Sequence, residues 1–499
     1  MSDKLTKYKN EVIAFFVIAS LYIYRTYKFI FPKNYQQDDI SEMRVAFIDN
    51  FSCVINKGDN HPLFSIFIWI ISKFFNNPEY IISSVVIFLT ICSFFILYNI
   101  FKEQYSIEIA TLSITVLLFS PAIITYSLSL KQYIFEFLAT AYFIRILQLN
   151  LNSKKSHNFI LKFCLTSSIL ILFSLVNIIP FVVTIILVFM FEKKINLKFI
   201  LYPCLVLIPF LNIFYQKSQR ISSSGYWQDF FITHDALSIQ GFFSNFYFLN
   251  SLFIKSLIVE NLAQITTLVY VLSLIAVYYT KDKLMICSLL GIGILYIMSI
   301  LKLYPLGGER TDILFLPYLL LLIAGFTDFL YKNIRFKNRK YFIVSFILFY
   351  ILNGLSTTEV FYKNELIQPI INNIEQKFND NDTTLIVTGE QYPSFIYYSK
   401  NIVNSQTIKS KGCQQTRPYI RNLIVYDKNL YFYSSNHNLE ISEEKILGRN
   451  NIVLVGIELP GTLGKYRSAS QYILENGYSL KSKSFYENGL VSLEFIKDE

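Results

Sequence analysis

Long apolar runs dominate the first 355 residues, and short polar segments separate them. A helix needs roughly 17 to 25 consecutive apolar residues to cross the hydrocarbon core of a bilayer. By that measure the pattern predicts a polytopic α-helical membrane protein with about eleven transmembrane helices. The predicted spans are 11–30, 80–101, 107–126, 131–149, 158–175, 178–191, 197–215, 262–280, 284–301, 312–330 and 341–355.

Segment 62–77, "PLFSIFIWIISKFFNN", is apolar but too short to cross comfortably. If it crossed, the basic loops that follow would move to the opposite side of the membrane. We therefore predict that this segment is a helix at the outer interface, beside an amphipathic helix at 40–56.

The pattern changes after Ser356, where the chain becomes polar and carries short β-rich runs at 383–389, 421–427 and 450–459. A helical stretch at 466–477 precedes residues 479–497, in which Asn488-Gly489 predicts a hairpin turn. We predict two domains: a transmembrane domain with external loops at 1–355, and a small extracytoplasmic α/β domain at 356–499.

Composition and charge agree with this pattern. The chain is 53% hydrophobic and 16% charged, whereas a soluble domain has about 25% charged residues. The formal charge of +10 does not indicate a nucleic-acid partner, because the basic residues fall in loops between apolar runs. The lipid bilayer is the expected partner, and six cysteines without a CxxC pair indicate no transition-metal site.

Basic loops assign the sides of the membrane. If the spans alternate, one side carries the amino-terminal lysines and the loops 101–105, 152–158, 191–198, 280–283 and 331–341. Cytoplasmic loops accumulate Lys and Arg, so this side is predicted to be the cytoplasm. The segments 31–79, 121–132, 216–261, 302–311 and the tail from 356 then face outward.

Two adjacent carboxylates, Asp38 and Asp39, follow the first apolar run on the predicted outer side. A carboxylate at the membrane surface can act as a general base toward a hydroxyl, or can bind a divalent cation. A solvated turn is the alternative for this pair taken alone. His61 precedes Pro62 at a predicted helix start, where the partial positive charge favours an anion.

The stretch "SPAIITYSLSLKQYIFE" places Lys131 at the start of a span with Tyr126, Tyr133 and Glu136 nearby. A lysine there opposes the helix dipole and lies on the side that the positive-inside rule disfavours. These two unfavourable placements predict a role for Lys131, such as pairing with a phosphate. The tyrosines alone are equally typical of membrane-interface anchors.

A second external loop, "LKLYPLGGERTDILFLP", carries Lys302 and Arg310 around Gly307-Gly308. Arginine suits bidentate phosphate contacts, and glycines let backbone N–H groups approach a ligand. A flexible turn with a charge pair is the alternative for Glu309 and Asp312. In the loop 216–261, Trp227 is a candidate for substrate contacts, although an interface belt would also use tryptophan.

With these residues on one side, the chain resembles the GT-C membrane glycosyltransferases. The similarity is to the family 39-like group that includes protein O-mannosyltransferases and the aminoarabinose transferase of lipid A. It covers roughly residues 10 to 330 and rests on "QQDDI", "NHPLF", "SPAIITYSLSLKQY" and "GGERTDILFLP". Relatives have Glu at position 39, a second proline in the His-Pro motif, and Asp at position 136.

The resemblance implies that Asp38 is the catalytic base, with Asp39 as the alternative. It also implies an outward-facing site in a bacterial inner membrane. A site on that side cannot use cytoplasmic nucleotide sugars, so the expected donor partner is a polyprenyl-phosphate sugar. His61, Lys131, Lys302 and Arg310 would hold its phosphate, stabilising the charge on the leaving group.

The predicted reaction is an inverting transfer of the sugar to a cell-envelope glycan or lipid acceptor, such as O-antigen or lipid A. No cofactor is required by the residues, although a carboxylate-bound divalent cation stays open. A lipid flippase or glycolipid transporter is one alternative, but transporters place charges near mid-membrane. An O-antigen polymerase or ligase is the other, and the acidic pair in the first loop disfavours it.

Overall fold

A computed structural model of the chain describes most of the helical region and part of the tail. The main described ranges are 2–30, 61–75, 78–152, 157–191, 225–233, 238–257, 263–307, 311–333, 383–388, 424–427, 430–433, 450–457, 470–485 and 490–498. Isolated residues within 45–54, 201–219 and 344–352 are also described.

The chain divides into two compact units. The helical unit comprises residues 1–31 and 83–361, and the sheet-containing unit comprises residues 32–82 and 362–499. Our predicted boundary at residue 356 stays a prediction.

Helices account for most of the described residues before 334. They are α1 (Ser2–Ile30), α2 (Pro62–Phe74), α3 (Pro78–Gln104), α4 (Ile107–Leu118), α5 (Pro121–Ser127), α6 (Tyr133–Asn152), α7 (His157–Phe173), α8 (Ile178–Phe191), α9 (Ile239–Leu257), α10 (Ala263–Thr280), α11 (Lys283–Ile300) and α12 (Leu316–Asn333). Short 3₁₀ helices lie at Leu175–Asn177, Gly225–Phe230 and Asp312–Phe315.

Four of the described helical segments are long and apolar enough to cross a membrane, so the chain is a membrane protein. They are Pro78–Gln104, Tyr133–Leu151, Lys283–Ile300 and Asp312–Asn333. The pair α4 and α5 makes a fifth if it is one span, although its helices are bent by 62°. The count of about eleven spans stays a prediction.

The break between α4 and α5 has a local cause. Ser120 accepts a hydrogen bond from the Ile123 backbone N–H, at 3.3 Å, which caps the start of α5. Pro121 then occupies the first helical turn, where its missing N–H has no helical partner to lose. The sequence pattern predicts one span over 107–126, and the structure shows two helices there instead.

The core of the helical unit is centred on α12. The apolar window that includes α12 is 78% buried, compared with 44% for the window in α3, so α12 is the more central helix. A close approach to α11 contributes to this burial. A Cβ atom on Gly291 would lie 2.7 Å from the Tyr318 ring, so only glycine lets that ring pack against α11.

Hydroxyl groups inside the helices bond to their own backbone. Thr90 donates to the Val86 carbonyl at 2.8 Å, and Ser288 donates to the Leu284 carbonyl at 3.0 Å. These i to i−4 bonds satisfy polar groups without a partner helix. Such internal satisfaction is what a lipid environment requires, because hydrocarbon offers no hydrogen bonds.

Several basic loops meet at one end of the helical unit, which we call the basic end. There Gln104 donates to Asp282 at 2.9 Å, which joins the loop 101–105 to the loop 280–283. Arg145, near the end of α6, pairs with Glu103 at 2.5 Å. These contacts agree with the predicted grouping of the basic loops, while the side of the membrane stays a prediction.

Other connections meet at the opposite helix termini, which we call the loop end. The Leu306 N–H donates to the Phe230 carbonyl at 2.8 Å, and Asn245 of α9 donates to the Phe231 carbonyl at 2.9 Å. The predicted outward loops 216–261 and 302–311 therefore contact each other. This end contains the described residues that we predicted for the site within the helical unit.

The sheet-containing unit has a six-stranded mixed sheet in the order β2-β3-β1-β4-β6-β5. Its strands are β1 (Thr383–Thr388), β2 (Ile424–Asp427), β3 (Leu430–Tyr433), β4 (Asn451–Ile457), β5 (Tyr478–Phe485) and β6 (Leu490–Lys497). Strand β1 is parallel to β3 and β4, and β5 and β6 form an antiparallel pair.

The predicted strands and hairpin of the tail are present, and residues 470–475 of the predicted helical stretch are helical. Strand β3 was not predicted. The turn at Asn488-Gly489 lies outside the described residues, as does most of the predicted helix at 40–56. Segment 62–77 contains the predicted helix, α2, and its place at the outer interface stays a prediction.

Candidate functional site at the loop end

The candidate site is assembled from three connections of the helical unit. The first joins α5 to α6 and contains Lys131 and Gln132. The second is the 3₁₀ turn after α7, which begins beyond Ser174. The third runs from 301 to the 3₁₀ helix Asp312–Phe315, and residues 308–310 of it lie outside the described residues.

Lys131 is largely buried, with 9% of its surface exposed. Its Nζ atom lies 5.9 Å from the centre of the Tyr133 ring, and that ring is 5.1 Å from the Tyr126 ring in an edge-on arrangement. The ring face stabilises a nearby cation. A cation with little water around it attracts an anion more strongly than a solvated one does, because the local dielectric is low.

Glu136 lies one turn further along α6, and only 2% of its surface is exposed. Ser174 donates a hydrogen bond to its Oε1 atom at 2.7 Å, and the Gln132 amide also bonds to this carboxyl group. The Gln132 Oε1 atom is buried and has no hydrogen-bond partner among the described residues. Glu136 thus has protein donors, and an acceptor atom beside it is unused.

Tyr304 lies in the third segment, near Tyr133 and Glu136 of α6. Its hydroxyl donates to the Thr311 carbonyl at 2.9 Å, and its side chain is buried. Burial raises the pKa of Tyr304 well above its ordinary value, and the nearby Glu136, Asp312 and Tyr133 raise it further. Tyr304 therefore stays protonated near neutral pH, and its ring lies 6.0 Å from the Phe315 ring.

Asp312 holds the turn in shape. This residue is fully buried, and its Oδ1 atom accepts a hydrogen bond from the Gly307 N–H at 3.0 Å. Gly307 has a φ of +77°, and a Cβ atom there would lie 3.0 Å from both the Leu249 carbonyl oxygen and the Leu252 Cβ atom. Glycine is needed at this position for both reasons. The described half of the loop is a defined turn, with the Asp312 carboxylate as its anchor.

Other predicted site residues are placed as follows. Lys302 is half-buried in the same loop, with a φ of +56°. His61 is half-buried in the sheet-containing unit, where its carbonyl oxygen accepts the Ser65 N–H at 2.9 Å in the first turn of α2. For Trp227 only the backbone is described, within the 3₁₀ helix Gly225–Phe230. Asp38, Asp39 and Arg310 lie outside the described residues.

The structure thus brings Lys131, Tyr126, Tyr133 and Glu136 together at the loop end. Sequence reasoning missed Tyr304, Ser174 and Gln132, which complete this group. The side chains of Tyr304 and Ser174 come from distant segments, and no local pattern marks either residue. Gln132 could have been identified from its position, because it directly follows Lys131 at the start of a predicted span, where a buried amide needs a hydrogen-bond partner.

No group of three or more His, Cys, Asp and Glu side chains within the described ranges could hold a metal ion. Asp38 and Asp39 lie outside those ranges, so this observation does not test whether the pair binds a divalent cation. In the described part, positive charge at the site comes from lysine side chains.

The sequence matches no protein-family model and no curated protein. Among solved structures, the chain is similar to ArnT from Cupriavidus metallidurans bound to undecaprenyl phosphate. The two share 11% sequence identity, with a TM-score of 0.56 over 97% of each chain. It is also similar to the oligosaccharyltransferase of Archaeoglobus fulgidus in complex with zinc and sulfate. That likeness has 10% identity and a TM-score of 0.47, over 78% of this chain and 61% of the other.

The second likeness has a TM-score below 0.5 and supports no conclusion. The first extends over nearly the whole of both chains, helical region and tail together, and ArnT has the GT-C fold. An identity of 11% establishes similarity of fold and nothing finer. The resemblance predicted from the sequence is therefore confirmed at that level, and this chain has the GT-C fold.

Proposed function

We propose that the protein is an inverting glycosyltransferase that moves a sugar from a polyprenyl-phosphate donor to a cell-envelope acceptor. The observation that carries this proposal is the buried Lys131, held over Tyr133 at the loop end of a chain with the GT-C fold. A buried cation at that place suits the phosphate of a lipid-linked donor. The undecaprenyl phosphate bound to ArnT supports this donor class.

In the proposed reaction, an acceptor hydroxyl attacks the anomeric carbon of the donor sugar. A carbon–oxygen bond forms on one face while the bond from that carbon to the phosphate oxygen breaks on the other. The hydroxyl proton passes to the Asp38 carboxylate, with Asp39 as the alternative base. The polyprenyl phosphate leaves with the electron pair, and one displacement inverts the anomeric carbon.

Lys131 stabilises the negative charge that grows on the departing phosphate, together with Lys302 and Arg310. His61 would hold the same phosphate from the first turn of α2. Tyr126, Tyr133, Glu136 and Trp227 are proposed to contact the sugar or the acceptor. Glu136 would accept hydrogen bonds from sugar hydroxyls through any lone pair that Ser174 and Gln132 leave open.

We propose further that the protein is a multi-pass protein of a bacterial inner membrane, with about eleven spans. The site and the domain at 356–499 would face the periplasm, on the side where a flipped lipid-linked sugar is found. O-antigen and lipid A are the acceptor classes that fit this location. The proposed role of the domain at 356–499 is to help hold the acceptor.

The test is a transfer assay with the full-length protein purified in detergent. It is supplied with radiolabelled undecaprenyl-phosphate hexose and an extract of envelope lipids as acceptor. Wild type is expected to move label to the acceptor. Asp38→Asn should lower the rate by about 10² to 10⁴-fold, the usual contribution of a general base, while donor binding is kept.

Asp229→Asn is the matched control, because Asp229 is an exposed aspartate of the loop end outside the proposed site. It should transfer label like wild type. Unchanged rates in both Asp38→Asn and Asp39→Asn would overturn the assignment of the base. If the wild-type protein transfers no label but moves labelled lipid between the leaflets of a vesicle, the proposed transferase activity is wrong and a flippase is favoured.

A further inference from the structure

A polar cavity lies at the basic end, away from the residues of the proposed reaction. It has a volume of about 500 Å³ and lies between the ends of α3, α6, α10 and α12 and the start of α11. This volume is in the range of small-ligand sites. Gln104, Tyr105, Asp282, Asp328, Lys332 and Asn333 line it.

The amide nitrogens in this cavity are already used by the protein. Gln104 Nε2 donates to Asp282 at 2.9 Å, and Asn333 Nδ2 donates to the Phe329 carbonyl at 2.8 Å. Their amide oxygens accept no hydrogen bond from the described residues. Each amide therefore has an oxygen that is available to a ligand, while one of its two N–H groups is already used by the protein.

The two carboxylates differ in how far the protein satisfies them. Asp282 caps α11, and its oxygens accept the Leu284 N–H at 2.7 Å, the Met285 N–H at 3.2 Å and the Gln104 amide. Asp328 is buried and has Lys332 on one oxygen, Oδ2, at 2.6 Å. Its second oxygen is therefore another acceptor available to a ligand.

Tyr105 supplies a separate observation. Its hydroxyl oxygen is buried and has no hydrogen-bond partner among the described residues. Burial raises the pKa of Tyr105 well above its ordinary value, and the nearby Asp282 and Asp328 raise it further. The phenol is therefore neutral at physiological pH. A buried hydroxyl without a hydrogen bond is unfavourable, so a partner there would be stabilising.

The two lysines of the lining do not make this an anion site. Lys283 lies with its Nζ atom 5.3 Å from the centre of the Phe191 ring. Lys332 is paired with Asp328, and 64% of its side chain is exposed at the rim. The lining of the cavity thus has the second oxygen of Asp328, the amide oxygens of Gln104 and the exposed Asn333, and the Tyr105 phenol, which together match a cation with several N–H donors.

We propose that the cavity at the basic end binds a primary ammonium group, held by Asp328, Tyr105 and the Gln104 and Asn333 amide oxygens. A primary ammonium has three N–H donors, which suits this set of acceptors. Two sources share this chemistry: a free small amine, and an ethanolamine lipid headgroup entering from the membrane surface. A quaternary ammonium has the same charge but no N–H group, so it should bind poorly.

The experiment uses the full-length protein in dodecyl maltoside and measures binding of ethanolamine and of choline by calorimetry. Ethanolamine is expected to bind at least tenfold more tightly than choline. Asp328→Asn should weaken ethanolamine binding at least tenfold, and Tyr105→Phe, which keeps the ring and its packing, severalfold. Glu108→Gln removes a carboxylate at the same end, outside the cavity lining, and should leave binding unchanged.

The source is separated by repeating the ethanolamine titration in nanodiscs of phosphatidylcholine with rising fractions of phosphatidylethanolamine. Competition by the lipid assigns the site to a headgroup, and unchanged ethanolamine binding assigns it to a free amine. Equal binding of ethanolamine and choline would overturn the proposal. So would the absence of ethanolamine binding in both detergent and nanodiscs, or equal weakening by Glu108→Gln and Asp328→Asn.

Discussion

The two ends of the helical unit both bury carboxylates, but their protein partners differ. At the loop end, Ser174 and Gln132 donate to Glu136, and the Gly307 N–H donates to Asp312. At the basic end, the side-chain amides donate within the protein, while one oxygen of Asp328 is left for the cavity.

The same residue types therefore produce sites of opposite preference. At the loop end, Glu136 has two protein donors and the buried Lys131 lies near it in the chain, which suits an anion. At the basic end, the second oxygen of Asp328 and the unbonded hydroxyl of Tyr105 suit a cation with N–H groups. The preference of a polar cavity depends on which of its hydrogen-bonding atoms the fold already uses, and not on the count of acidic and basic residues.

The largest effect is expected from removing the cation of the loop end. Under the proposed function, Lys131→Met should lower the rate of sugar transfer by about 10² to 10³-fold, since charge on the departing phosphate loses its stabilisation. Lys131→Arg should retain part of the rate. Lys162→Met, at an exposed position of α7, serves as the control and should transfer like wild type.

Initial rates of sugar transfer at saturating donor measure this effect. Ethanolamine binding to the same variants shows whether the cavity at the basic end is also affected. We expect Lys131→Met to leave ethanolamine binding unchanged. A loss of both would mean that the two ends are not independent, which would break the comparison.

Removing a buried carboxylate at each end should have unequal effects on stability. Asp312→Ala leaves the buried Gly307 N–H without its acceptor, so the free energy of unfolding should fall by about 1 to 3 kcal/mol. Asp328→Ala breaks a pair with a mostly exposed lysine, and should change it by less than about 1 kcal/mol. Denaturant unfolding in detergent, followed by tryptophan fluorescence, compares them. Equal losses would show that the carboxylates have similar structural roles.

The turn at the loop end can be tested through its glycine. Gly307→Ala has to adopt a positive φ and meet the Leu249 carbonyl at 3.0 Å, so a cost of about 1 to 3 kcal/mol is expected. Gly293→Ala is the control, because a Cβ atom at that position in α11 meets nothing within 4 Å. It should be neutral or slightly stabilising. Thermal unfolding midpoints of the two variants measure this difference. A larger fall in the midpoint for Gly293→Ala than for Gly307→Ala would contradict the described turn.

The smallest effect concerns one buried tyrosine at each end. Tyr304→Phe loses the bond to the Thr311 carbonyl and should lower stability by about 0.5 to 1.5 kcal/mol. Tyr105→Phe removes a hydroxyl with no described bond, and should be neutral or stabilising. Denaturant unfolding at pH 7.5 measures the difference in the free energy of unfolding between the two variants.

Alkaline pH provides a second measurement on the same pair. The folded-state pKa of each tyrosine is raised, so above the ordinary pKa of about 10 the unfolded chain releases a proton that the folded chain retains. Stability therefore falls as pH rises beyond about 10. Each phenylalanine variant should lose less stability than wild type over that range. An identical loss would contradict the raised pKa values.

Sequence patterns predicted many of the described helices, because a bilayer imposes a length on each apolar run, but helix α9 lies in segment 216–261, which was predicted to be an external loop. The spans 284–301 and 312–330 lie within a few residues of α11 and the Asp312–Asn333 segment. The break at Ser120-Pro121 was missed, because the residues on both sides are equally apolar. Strand β3 was missed as well, since "NLYFYS" follows another β-rich run closely and its partner β1 is remote in sequence.

The site was predicted in part. Lys131, Tyr133 and Glu136 are close in sequence, so their proximity needed no knowledge of the fold. Tyr304 and Ser174 could not be predicted, because packing between helices that are distant in sequence brings them to Glu136. For Asp312, sequence reasoning offered a flexible turn with a charge pair as the alternative. Its bond to the Gly307 N–H became evident only from the backbone geometry of the turn.

The order of strands in the tail has a consequence for biosynthesis. Strand β1 lies inside the sheet, where Leu385 is in register with Leu430 of β3 and Val453 of β4. A ribosome completes β1 long before either neighbour exists, whereas β5 and β6 can pair as soon as both emerge. Contacts between segments distant in sequence form slowly. The newly made tail therefore exposes an aggregation-prone β-rich segment until β3 and β4 have been made, and a chaperone would be needed most during this interval.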